Sequence, residues 1–133
     1  MTDIENIGIY FKMAIAIIGS LVSFLFGGFD SLLYIFIAIV SIDYVTGLIA
    51  SGIEGKLSSK IGFKGIAKKI MIFALIAIAH FIDQLLGINQ LVRDATIIFY
   101  MVNEILSVIE NAGRLGIPIP EFLKKAVSLL REK

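Results

Sequence analysis

Between Ser31 and Ile53 the chain carries one formal charge, Asp43, in a run otherwise built from aliphatic, aromatic, small and hydroxylated residues. A helix needs about 20 predominantly apolar residues to cross a hydrocarbon core, and a soluble helix of this length would need a polar face for water. The run therefore reads as a membrane-crossing helix with an acid near its middle. The rest of the 133 residues fits the same solvent: 58% are hydrophobic and 17% charged, far from the balance of a soluble domain. Little length remains for a soluble unit.

Further runs and their breaks predict an all-α integral membrane protein with one membrane domain over residues 1–133. Four spans are expected, at about 9–28, 31–51, 69–87 and 93–113, separated by turn signals such as Gly27, Gly28 and Asp30. An interfacial amphipathic helix is expected at about 58–68, and a C-terminal one at about 119–132 with Pro120 in its first turn. The N-terminal residues carry Asp3 and Glu5 where a signal peptide would be basic, so the segment is expected to be retained. With four spans Lys12, the loop basic residues Lys56, Lys60, Lys64, Lys68 and Lys69, and the tail basic residues Arg114, Lys124, Lys125, Arg131 and Lys133 fall on one side, leaving only Arg93 on the other. By the positive-inside rule this predicts a multi-pass protein of the cytoplasmic membrane with both termini cytoplasmic.

Polar residues within the spans carry the chemistry. A central Asp costs about 3 kcal/mol on the insertion scale, and each Leu, Ile, Phe or Val returns about 0.3 to 0.6. Eleven such residues between Ser31 and Ala50 outweigh Asp43. Only eight between Arg93 and Ala112 oppose Asn103, Glu104 and Glu110, so the fourth span is marginal alone and needs other helices or water around it. At about 100° per residue, Arg93, Thr96, Tyr100, Asn103, Glu104, Ser107, Glu110, Asn111 and Arg114 share an arc of about 120°. His80, Asp83 and Gln84 share a face of the third span, and Asp43, Thr46 and Gly47 one of the second. Their depths predict that Asp43, His80 and Glu104 meet. Asp43 is read either as an acid that locks packing beside small residues or as part of an aqueous lining, and the stripe on span four as an internal seam, a seam between subunits or a wall facing water.

Lys60, Lys64 and Lys68 recur every four residues and, with Lys69, are expected to contact anionic headgroups. A solvated basic loop that only fixes topology is the plainer alternative. One histidine and no cysteine give no metal site, and neither a phosphate-binding glycine loop nor an oriented nucleophile is present, so no enzyme, cofactor or nucleic-acid partner is expected.

Four fragments, "DYVTG" from Asp43, "LSSKIGFKGIAKK" from Leu57, "HFID" from His80 and "NEILSVIENAGRLGIPIPEFL" from Asn103, resemble the holin family of phage lysis and toxin secretion in Gram-positive bacteria. The resemblance covers about two thirds of the chain and implies a small protein that self-assembles in the cytoplasmic membrane and lets a lytic enzyme or toxin out. It marks Asp43, His80, Asp83, Asn103, Glu104, Ser107, Glu110, Asn111 and Arg114 as positions to test. A small ion or proton channel or transporter, and a non-conducting module such as an antiholin, are the alternatives.

Overall fold

The computed structural model describes residues 2–131 and consists of five helices: α1 (Asp3–Phe26), α2 (Ser31–Ile53), α3 (Ser59–Leu86), α4 (Leu91–Arg114) and α5 (Glu121–Arg131). No strand occurs among the described residues. Three of the helices, α1, α2 and α3, are long and apolar enough to cross a membrane. This is a helical membrane protein.

The helix ends follow from local chemistry. The Thr2 hydroxyl accepts from the Glu5 N–H, and the Glu5 carboxylate accepts from the Thr2 N–H at 3.0 Å. This reciprocal cap satisfies two orphan donors and starts α1 at Asp3, six residues before the apolar run suggested. Gly27 ends α1 in the left-handed region at φ 78°, a conformation open to glycine without a Cβ clash. A Cβ there would lie 2.8 Å from the His80 ring, so the site demands glycine twice over. Asp30 caps α2 through the Leu33 N–H at 3.0 Å, and Ser58 caps α3 through Ile61.

The separate interfacial helix at 58–68 is not found; the stretch is the base of one continuous helix, α3. Gly62 and Gly65 let α3 stand close to Tyr44 of α2. The Tyr44 hydroxyl donates to the Gly62 carbonyl at 3.2 Å, and a Cβ on Gly65 would lie 3.2 Å from the Tyr44 ring. With no proline between Ser58 and Gly87, nothing interrupts the hydrogen-bond ladder. Pro120 lies just before α5, and Glu132, expected near that helix's end, lies outside the described residues.

Inside, α4 packs along both α2 and α3, while α2 and α3 touch each other far less. Leu33, Phe36, Val40, Ile76 and Ile97 form the apolar core, edged by Phe26 and Phe73. The Phe73 ring is 5.5 Å from Phe36 and 5.9 Å from Phe26. Between apolar helices in lipid, such packing and interhelical hydrogen bonds replace the hydrophobic effect as the source of association. The core fills the half of the bundle nearest Gly27; toward Arg114 polar side chains take over the contact between α2 and α4. By contrast α1 buries none of its residues; it meets α3 near its own end, where the tilted rings of Phe24 and Phe81 lie 5.5 Å apart.

Candidate functional site

Between them α2, α3 and α4 leave a groove of about 460 Å³. The central turn of each helix sends one charge into it. Lys69 of α3 reaches between Asp43 of α2 and Glu104 of α4, bonding Glu104 Oε2 at 2.6 Å and pairing with Asp43 on its other side. Both acids are buried. In a low-dielectric interior each unpaired charge would cost several kcal/mol, and one lysine shared between two acids offsets part of that penalty. The formal sum of the three groups is still one negative charge.

Amide and hydroxyl groups surround the trio. Asn111 donates through Nδ2 to Asp43 Oδ1 and to the Asp43 carbonyl, each at 3.1 Å, and to the Thr46 hydroxyl at 2.9 Å. Gly47 faces that amide, and a Cβ there would meet Asn111 Nδ2 at an ordinary contact distance of 3.5 Å. Lower down, Arg114 Nε donates to Glu54 at 2.8 Å and Nη2 to the Ser51 hydroxyl at 3.2 Å, joining the ends of α2 and α4. Tyr100, Asn103 and Ser107 complete the α4 wall. Thus the predicted residues Asp43, Tyr100, Asn103, Glu104, Ser107, Asn111 and Arg114 line one groove. Glu110 is exposed and outside it.

His80 and Asp83 do not join them. The continuous α3 carries both toward the Gly27 end, so the expected meeting of His80 with Asp43 and Glu104 does not occur; Lys69 takes that place. His80 lies buried against Gly27, with no hydrogen-bond partner for either ring nitrogen. Asp83 caps a neighbour: its two carboxylate oxygens accept the Val92 and Arg93 N–H groups, each at 2.8 Å. Helix α4 needs this, because Gln90 at its start is left-handed and offers no side-chain cap.

Arg93 is the centre of this second knot and is 0% exposed. It donates to the Phe26 carbonyl at 2.8 Å, to both Asp30 oxygens at 2.7 and 3.0 Å, and to Asp94 at 2.8 Å, while Gln90 holds the Gly27 carbonyl at 2.9 Å. The start of α4 is thereby tied to the α1–α2 turn. The guanidinium hydrogen-bonded to Asp30 holds that carboxyl below its ordinary value of 3.8, against the opposing effect of partial burial.

Sequence reasoning missed Lys69 as a partner of the acids. The signal was its phase: Lys60, Lys64 and Lys68 form one stripe, and Lys69 lies about 100° off it. Lys60, Lys64 and Lys68 are exposed, as headgroup contact would require. Among the described residues no cluster of three His, Asp or Glu side chains is placed to hold a metal.

An all-helical membrane protein with a charged trio inside its bundle is the class that the fold and site define. Within that class the chain belongs to the bacteriophage holin family, which matches residues 20–132. Relatives span almost its whole length: an uncharacterized protein of Halalkalibacterium halodurans is 46% identical over 125 residues, covering 90% of this chain and 93% of that one. An uncharacterized Listeria innocua protein is likewise 46% identical over 125 residues, covering 94% and 89%. The uncharacterized 14.9 kDa protein in the nagH 3' region of Clostridium perfringens is 38% identical over 130 residues, covering 97% and 98%. No solved structure matches the chain.

Proposed function

We propose that the chain is a holin-like pore former: copies assemble in the bacterial cytoplasmic membrane and permit release of a lytic enzyme or toxin. In this reading α4 is a fourth span, both termini are cytoplasmic, and the exposed lysines of α3 rest on anionic headgroups. The observation that carries it is the groove, a polar lane with a shared-lysine ion pair at mid-helix depth, too wet for a helix bundle that serves only as an anchor. Charged groups inside a span favour a water-filled or protein-lined path. The stripe of α4, exposed at Asn103, supplies the wall of that path when copies associate.

The test is size-graded leakage from liposomes containing purified protein. Release of a folded enzyme is expected from the parent chain. Glu104→Leu leaves Lys69 paired with Asp43 alone, so insertion persists while permeabilisation is lost. Undiminished release of a protein-sized cargo by that variant refutes the role given to the trio. Passage of ions alone by the parent chain points to a channel, and passage of nothing points to a regulatory module such as an antiholin.

A further inference from the structure

Two features of the molecule are incomplete, and each has what the other lacks. Along α1 the residues Glu5, Gly8, Lys12, Ala16, Gly19 and Ser23 fall within about 80° of one another, yet none of them is buried. A Cβ at Gly8 or Gly19 would meet nothing within 4 Å, although small residues on a membrane helix serve close approach by another helix. Lys12 has no acidic partner among the described residues. The groove, conversely, holds Asp43 and Glu104 with only Lys69 between them.

Levels can be compared because the Arg93 and Gln90 bonds hold the Gly27, Asp30 and Leu91 ends of the helices together. At 1.5 Å per residue, Lys12 lies about 21 Å from the Phe26 end of α1, while Asp43 lies about 18 Å below Ser31 and Glu104 about 20 Å below Leu91. The cation and the two acids are level to within the reach of a lysine side chain. A chain's own α1 is kept from its own groove, because Phe24 and Phe81 and the pinned Gly27 turn fix α1 along the outside of α3.

We propose that a second copy of this chain fills the groove: the small-residue stripe of its α1 docks between α3 and α4, bringing Lys12 to Asp43 and Glu104. The inference rests on the self-assembly in the proposed function and names its contact. The contact is head-to-tail, using different surfaces of the two copies, and such contacts generate rings or open arcs rather than closed pairs. Lys68, the neighbour of Lys69, also lines the groove and is exposed.

The chain has no cysteine, so introduced ones report cleanly. One tagged copy carries Ala16→Cys, on the Lys12 face of α1, and a second, differently tagged copy carries Asn103→Cys on the groove wall. Co-reconstituted in liposomes of phosphatidylglycerol and phosphatidylethanolamine, the two are expected to cross-link with a short bismaleimide. Adding Lys12→Glu to the first copy lowers the yield at least tenfold, and adding Lys12→Arg preserves it. Absence of the mixed cross-link, equal yield with Lys12→Glu, or cross-linking only within a single chain carrying both cysteines overturns the proposal. Helix content and membrane insertion of each variant are measured alongside, and the Arg variant shows that loss follows charge rather than folding. The readout is independent of leakage: cross-linked copies in sealed vesicles refute the pore while leaving the docking intact, and leaking vesicles without the cross-link do the reverse.

Discussion

Replacing Lys69 by methionine tests whether the trio holds the bundle together. The substitution keeps most of the side-chain length and removes only the ammonium, so the change is electrostatic rather than volumetric. It leaves Asp43 and Glu104, both buried, facing the vacated site with no counter-charge. Removing one member of a buried ion pair typically costs about 3 to 5 kcal/mol because the remaining charge is stranded. Lys69 is 18% exposed, so water recovers part of that and the lower end, about 3 kcal/mol, is expected, a change of roughly two powers of ten in the folding equilibrium. The measurement is reversible unfolding in mixed micelles by an SDS titration followed by circular dichroism. A second variant, Lys69→Met with Asp43→Asn and Glu104→Gln, removes the stranded charges and is expected to recover most of the loss, since neutral replacements of a whole buried charge cluster are often tolerated. A loss below about 0.5 kcal/mol for Lys69→Met, within the range of an exposed surface pair, or a triple variant no more stable than the single one, refutes the reasoning.

Two further outcomes follow from the knot at the Gly27 end. Asp83→Ala strips α4 of the cap that accepts the Val92 and Arg93 N–H groups; a loss of about 1 to 2 kcal/mol and faster hydrogen exchange at those two amides are expected in the same micelles. Asp30 has a carboxyl lowered by the Arg93 hydrogen bond, so its contribution is complete above the ordinary value of 3.8 and fades as pH falls through the folded-state value. The melting temperature is therefore expected to drop between pH 5 and pH 3 more in the parent chain than in Asp30→Asn, and equal drops would contradict the assignment.

The helices were legible because their apolar runs are long and their breaks carry Gly27, Gly87 and Asp30. The polar face of α4 was legible from its period alone. What escaped was relative register. Starting the third span at residue 69 made the preceding lysines look like one interfacial group and placed His80 at mid-depth; a helix that begins at Ser59 carries Lys69 to the acids and His80 toward the turn. Hydropathy windows favour that misreading, because they assign lysine to the surface whatever its rotational phase. The role of Arg93 escaped for another reason: five of its partners are side chains or carbonyls around two loops, and such convergence has no sequence period. The cap on α1 was within reach, since Thr2 and Glu5 stand at the spacing that marks a helix start.

Asp83 also bears on biogenesis. The donors at the start of α4 are satisfied by a residue of the helix translated just before it, and the acid in its middle by a lysine of that same helix. In the proposed topology, the last crossing is therefore not made by a solitary segment presented to lipid. In that topology it would enter as one arm of a hairpin, with its predecessor serving as escort.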